Sequence, residues 1–261
     1  MVRLIVFTDL DGTLLDHSDY SHEAAMPALM ALKTQNIPLI LASSKTAAEI
    51  MPLHAELGLG DWPVIVENGA QSVRPGAGST DRSEYDRLRA ILAGLPPDLA
   101  GPYRGFGDMT DAEVAQITGL SSEAAALARQ RNFTEPGLWQ GTDEGLTAFL
   151  DALSENGVTA RRGGRFLTLS FGGTKAGQMA AIMHDLDRDT AIALGDAPND
   201  IEMIETADHG VIIRNDHGKD IPPLPGEAEG RITRSTLPGP QGWIAEVLRL
   251  LDTLGIDRRA D

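Results

Sequence analysis

Cysteine is absent from the 261 residues. Disulfides, a thiolate nucleophile and cysteine-ligated zinc or iron–sulfur centres are therefore excluded. A chain that needs no disulfide suits a reducing compartment. Positive charge is also scarce: 22 Lys plus Arg stand against 38 Asp plus Glu, a net charge of −16. That field repels polyphosphate backbones and excludes broad binding to duplex nucleic acid. No apolar run reaches the roughly 18 residues that a membrane span requires. The six histidines show no metal-ligand spacing, and the three tryptophans are expected in the core. Residues 1–7 are apolar but short, carry Arg3 and run directly into Thr8-Asp9-Leu10-Asp11. They are expected to form a buried first strand rather than a signal peptide, and the protein is expected in the cytoplasm.

A hydrophobic content of 42% is enough for a substantial core. Short apolar runs at 3–7, 37–42 and 64–66 alternate with helical patterns at 21–34 (Ser21 as N-cap) and 46–57. This alternation predicts a parallel α/β sheet. From residue 83 to 171 the rhythm changes. A Gly/Pro-rich stretch covers 94–107, and helical patterns follow at 111–117 and 121–131. A turn-rich stretch covers 132–141, a helical pattern 144–156, and strands 158–161 and 166–170. The first pattern then resumes, with a helix at 175–186, a strand at 191–194, a helix at 199–207 and a strand at 209–213. Residues 214–240 read as irregular, with five prolines, 242–254 as a closing amphipathic helix, and 257–261 as a frayed tail. The expected organisation is an α/β core made of 1–82 and 172–261, interrupted by a smaller α+β domain at 83–171.

Carboxylates gather where strands are expected to end. Asp9-Leu10-Asp11-Gly12-Thr13 follows the first strand, and Gly195-Asp196-Ala197-Pro198-Asn199-Asp200 follows a later one. In an open α/β sheet the ligand crevice lies beyond the carboxyl ends of the strands. Four acids at one edge repel each other unless a cation is present. Paired carboxylates of this kind suit a divalent cation and a carboxylate nucleophile, although each segment also reads as a capped strand-to-helix loop. Ser43-Ser44-Lys45-Thr46 offers hydroxyls at a helix start, which fits either a phosphate site or simple capping. Lysine is confined to Lys33, Lys45, Lys175 and Lys219. Lys175 opens a helix, where the dipole disfavours a cation; either an anion faces it or it is a solvated surface group. Arg129-Gln130-Arg131 and Arg161-Arg162-Gly163-Gly164-Arg165 are basic clusters, readable equally as solvated faces.

Taken in order, Asp9-x-Asp11-Gly12-Thr13, Ser43, Lys175 and Gly195-Asp196-x-x-Asn199-Asp200 resemble the four motifs of the haloacid dehalogenase-like phosphatases. The insertion between the second and third motifs resembles a type IIB cap. Residues 41–46, 67–69, 105–110, 128–135, 163–170 and 239–243 further resemble the mannosyl-3-phosphoglycerate phosphatase family. The resemblance implies a Rossmann-like core with an inserted cap. It also implies a Mg²⁺-dependent phosphatase that releases mannosylglycerate, a compatible solute, through an aspartyl-phosphate. On this basis Asp9 is the nucleophile, Asp11 the general acid and base, and Ser43 and Lys175 hold the phosphoryl oxygens. Asp9, the Asp11 main-chain oxygen and Asp196 would ligate Mg²⁺, with Asp200 in support. Ser44, Lys45, Asn68, Gln71, Arg129, Arg131, Arg165 and Asn199 are candidate substrate contacts. The expected partner is a small phosphorylated sugar–glycerate, with no nucleic acid or membrane; the sequence says nothing of the oligomeric state. Glucosyl-3-phosphoglycerate, another sugar phosphate, phosphomutase action and a non-catalytic binding module are the alternatives.

Overall fold

The computed structural model describes residues 2–76, 81–163, 165–218 and 220–257. Residues 258–261 of the expected tail and Gly164 of the second basic cluster lie outside this set.

The chain opens with β1 (Leu4–Thr8), α1 (Met26–Thr34), β2 (Leu39–Leu41), α2 (Ala47–Glu56), β3 (Val64–Val66) and β4 (Gln71–Val73). The middle comprises α3 (Ser83–Gly94), α4 (Pro97–Ala100), β5 (Tyr103–Gly105), α5 (Asp111–Thr118) and α6 (Ser122–Ala128). It continues with β6 (Glu135–Trp139), α7 (Asp143–Glu155), β7 (Thr159–Gly163) and β8 (Phe166–Ser170). The chain then returns through α8 (Lys175–Asp185), β9 (Thr190–Gly195), α9 (Ile201–Thr206) and β10 (His209–Arg214). It closes with α10 (Pro225–Ala228), β11 (Ile232–Pro238) and α11 (Gly239–Thr253).

Five parallel strands form the core sheet in the order β11-β10-β9-β1-β2. Every β1 residue is buried. Leu4 and Val6 join one apolar cluster with Leu29, Leu32, Trp243 and Val247, while Ile5 and Phe7 join another with Met179, Ile182 and Met203. Helices cover both faces, so the strand reads as an uninterrupted apolar run. Trp243 is fully buried and donates its indole N–H to Thr8 Oγ1 at 3.0 Å. Register does the functional work. Thr8 lies opposite Leu41 on one side and Leu194 on the other. Asp9, Ser43 and Asp196 therefore leave the sheet at a common edge.

The second sheet is antiparallel, in the order β5-β6-β8-β7. In β8, Leu167 and Leu169 pack with Leu88 of α3 and Phe149 and Leu153 of α7. The intervening Phe166, Thr168 and Ser170 face away from that cluster, as period-two alternation requires. This sheet and its helices form a smaller cap inserted into the parallel α/β core.

Several sequence expectations need correction. The turn-rich stretch at 132–141 contains β6, because β5 and β8 pair with it on both sides despite Pro136 and Gly137. Gly137 is needed there: a Cβ would fall 2.4 Å from the Tyr103 ring. The irregular stretch at 214–240 contains α10 and β11, an edge strand that buries only Ile232 and Ser235. The Gly/Pro-rich stretch at 94–107 contains α4 and β5, and α3 precedes it. β3 does not extend the large sheet but pairs antiparallel with β4, touching β2's end only through a bridge between Ala42 and Ile65. The first helix begins at Met26, after a 3-10 turn over Glu23–Ala25, so Ser21 does not cap it. Pro27 fits the first helical turn, where an amide hydrogen is not required.

Candidate active site

Asp9 follows β1 directly, and its N–H bonds to the Leu194 carbonyl at 2.9 Å. Lys175, the first residue of α8, is 2% exposed. Its Nζ lies 2.5 Å from Asp9 Oδ1 and 2.7 Å from Asp200 Oδ1. The cation at a helix start thus does meet anions, and they are carboxylates of the protein itself. Asp200 Oδ2 accepts the backbone N–H groups of Asp196 (3.2 Å) and Ala197 (3.1 Å). Asp196 Oδ1 accepts from Thr13 Oγ1 at 2.8 Å, and its Oδ2 from Asn215 Nδ2 at 2.5 Å. Asn215 was not singled out in the sequence. Its signal was positional, since it follows β10 at the same sheet edge. Two glycines make this packing possible. Gly12 has φ +79°, and a Cβ there would fall 2.8 Å from Asp196 Oδ2; a Cβ on Gly195 would fall 2.4 Å from Asp200 Cβ.

Asp9, Asp196 and Asp200 are all buried, and one carboxylate oxygen from each lies within 4.8 Å of the others. Burial pushes Asp9 well above the usual carboxylate range; Lys175 opposes this, while Asp200, Asp196 and Asp11 add to it. Asp196 is raised by burial and by Asp200, against its bonds from Thr13 and Asn215. Burial alone would lower the Lys175 ammonium, but Asp200 and Asp9 outweigh it and hold the group above its ordinary value. Three carboxylates thus share one ammonium. The surplus negative charge and all-oxygen donor set fit a hard divalent cation.

Asp11 is not part of this trio. Its Oδ2 pairs with Lys45 Nζ at 2.7 Å, and its Oδ1 is buried without a partner. Burial would lower Lys45, but Asp11 and Glu49 keep it above its usual range. Ser43 is 1% exposed, with its hydroxyl oxygen 3.3 Å from the Lys45 N–H. Thr46 caps α2 reciprocally with Glu49, so the capping reading and a nearby anion site coexist.

A cleft of about 500 Å³ runs between this sheet edge and the cap. Ser44, Lys45, Asn68, Arg131 and Asn199 line it, together with the outward residues of β8. Asn199 Nδ2 donates to Asn68 Oδ1 at 3.2 Å. Arg131 is 7% exposed; Nη1 donates to the Ser44 carbonyl at 2.9 Å, and Nε has no partner. Three of the expected substrate contacts stand elsewhere. Arg129 borders a separate cavity of about 880 Å³ and pairs with Asp111. Arg165 lies over the Phe166 ring and does not line the cleft; Gln71 is exposed on β4, also outside it. Arg161, named in the sequence only within a basic cluster, lines the cleft. It sits opposite Thr168 in the β7–β8 ladder and therefore on the cleft face.

Residues 6–76 and 168–219 match the haloacid dehalogenase-like hydrolase family. Solved structures align over nearly the whole chain. A sucrose-phosphatase from Synechocystis, solved with sucrose and phosphate, is 19% identical with a TM-score of 0.61, covering 97% of this chain and 99% of its own. A subclass IIB sugar phosphatase is 17% identical with a TM-score of 0.63, covering 98% and 100%. A haloalkanoate-superfamily phosphatase from Bacteroides thetaiotaomicron is 16% identical with a TM-score of 0.61, covering 98% and 96%. At these identities the likeness speaks for the fold. Among the described residues no helix is long and apolar enough to cross a membrane. The four motifs that meet at one sheet edge all fall within the two segments that match the haloacid dehalogenase-like hydrolase family.

Proposed function

We propose that the protein is a Mg²⁺-dependent phosphomonoesterase that converts mannosyl-3-phosphoglycerate to mannosylglycerate and phosphate. The observation that carries the reading is the buried Asp9–Lys175–Asp200–Asp196 constellation, whose chain neighbours Ala197 and Asn199 line a cleft shared with the cap sheet. The sugar–glycerate assignment draws on the resemblance at 41–46, 67–69 and 163–170, and on cations along the cleft of an otherwise acidic chain.

Asp9 would attack phosphorus through a carboxylate oxygen. The new O–P bond forms as the ester P–O bond breaks, and the leaving alkoxide takes a proton from Asp11. Water would then attack the aspartyl-phosphate and give its proton to Asp11, freeing phosphate and regenerating Asp9. Ser43 and Lys175 would hold the phosphoryl oxygens as charge redistributes. Asp9, the Asp11 main-chain oxygen and Asp196 would hold Mg²⁺, with Asp200 supporting them. When bound, the ion supplies charge that screens Asp9 from the phosphate dianion. Lys45, Arg131 and Arg161 would face the glycerate carboxylate, and Asn68 and Asn199 the sugar hydroxyls. Cap closure would exclude bulk water.

The test is a phosphate-release panel with and without Mg²⁺. Mannosyl-3-phosphoglycerate should be cleaved much faster than simple hexose phosphates, and only with the cation. A faster glucosyl-3-phosphoglycerate reaction would move the assignment to that epimer. Sugar-phosphate isomerisation without phosphate release would make the protein a mutase.

A further inference from the structure

The short turn after β3 carries a buried acid that the catalytic assignment does not use. Glu67 is 2% exposed and stands apart from the catalytic trio; the Arg131 guanidinium lies 3.9 Å from its Oε2, beyond hydrogen-bond distance. The Glu67 carboxylate instead accepts a set of bonds from one stretch of the cap. Asn132 N–H reaches Oε1 at 2.9 Å; Phe133 N–H (3.3 Å), Thr134 N–H (2.8 Å) and Thr134 Oγ1 (2.8 Å) reach Oε2. That stretch follows Arg131 directly and leads into β6.

The same turn is tied to every other part of the site. Glu67 N–H bonds to the Lys45 carbonyl and Asn68 N–H to the Ser43 carbonyl, each at 2.9 Å. The Asn68 side chain meets Asn199. Gly69 lies so close to the start of α8 that a Cβ would fall 2.2 Å from Lys175 N. The backbone is held in an unfavourable form to achieve this: Glu67 has φ +50° and Asn68 φ +61°. Left-handed non-glycine residues cost energy and persist where surrounding contacts over-determine them.

We propose that Glu67 is a positioning residue for substrate recognition: it fixes the cap segment 132–134 onto the core and thereby sets Arg131 over the cleft. Arg131 needs such support. Nη1 donates to the Ser44 carbonyl and stands 3.9 Å from Glu67 Oε2, while Nε is buried without a hydrogen-bond partner among the described residues. A carboxylate accepting several N–H groups is a strong and directional anchor. This inference rests on the phosphatase reading above, but it concerns the part of the substrate that reaches the cap, and not phosphoryl transfer.

The experiment compares Glu67→Gln with wild type on two esters, the best sugar phosphate found in the panel and para-nitrophenyl phosphate, which is too small to engage the cap. Glutamine keeps the shape but points an NH₂ at N–H groups. The KM for the sugar ester should rise about tenfold, the scale of lost charge-assisted hydrogen bonds, with kcat nearly kept. The aryl ester's KM should move less than about threefold. Thr134→Val, a gentler change that removes one bond, should shift the sugar ester's KM in the same direction by a smaller factor. In an Arg131→Ala background Glu67→Gln should add little. Parallel losses on both esters, no change on either, or full additivity with Arg131→Ala would overturn the proposal. Amide exchange at 132–134 supplies a readout without turnover: protection should fall in Glu67→Gln, and unchanged protection would also overturn it. Failure of wild type on mannosyl-3-phosphoglycerate removes the substrate assignment and leaves this comparison to run on another ester.

Discussion

In the core, β1 buries all five of its residues, whereas in the cap β8 fully buries only Leu167 and Leu169. The core sheet has helices on both faces, so its reactive groups sit beyond the strand ends, on loops fixed by register. The cap sheet is covered on one face, and its other face is the wall of the cleft. Chemistry is therefore placed at an edge in one region and recognition on a face in the other. Charge follows the same division. Residues 83–171 carry eight basic and twelve acidic side chains, net −4, and the rest of the chain carries −12. The acidic core concentrates carboxylates around Lys175, and the cap contributes Arg131 and Arg161 opposite them.

Substitutions can break this division of labour. Asp9→Asn should lower phosphate release by more than about 10⁴-fold, as removal of a nucleophile does, while the thermal midpoint holds or rises because a buried charge is lost. Residual turnover near wild type would remove Asp9 from its role. Lys175→Met should cost about 3–5 kcal/mol of stability in denaturant titrations, since it strands Asp9 and Asp200 as buried charges. Leu169→Ala, at the fully buried centre of the cap cluster, should cost about 2–5 kcal/mol. It should harm sugar-ester turnover more than aryl-ester turnover, and equal loss on both would erase the distinction between edge and face. Arg161→Ala should raise the KM for a sugar phosphoglycerate by roughly threefold to tenfold, the scale of a charged hydrogen bond, and leave the KM for a sugar phosphate without a carboxylate unchanged.

The smallest effect compares surface pairs in the two regions. Bonds from Arg104 and Thr110 hold Glu113 of the cap down to about 2, and Arg234 with the Leu224 N–H holds Glu227 of the core down to about 2. A depressed carboxyl stabilises the fold above its unfolded value of 4.5 and loses that contribution as pH falls through its folded value. Glu113→Gln and Glu227→Gln should each flatten the stability curve between about pH 4.5 and 2, with little change at neutral pH, where exposed pairs count for little. Acid denaturation followed by circular dichroism checks the window.

Much of the core was legible because burial on both faces writes itself into the strand as a run of apolar residues, and the next residue must then be at the crevice. Leu4–Thr8 followed by Asp9 and Thr190–Gly195 followed by Asp196 are of this kind. β6 and β11 were not legible. β6 contains Pro136 and Gly137 and exists because strands pair on both sides of it, while β11 is a mostly exposed edge strand ending at Pro238. Local propensity cannot report a partner that arrives from elsewhere in the chain.

The sequence by itself determined the α/β core, the order of the four motifs and the absence of thiol chemistry, because these depend on residue type and on spacing along one strand or helix. The tertiary structure decided which charges meet. Only Gln130 separates Arg129 from Arg131, yet one turns to Asp111 beside a separate cavity and the other into the cleft. Lys45 pairs with Asp11, and Glu67 carries the cap segment. These are contacts between elements far apart in the chain, fixed by packing and register rather than by any local pattern.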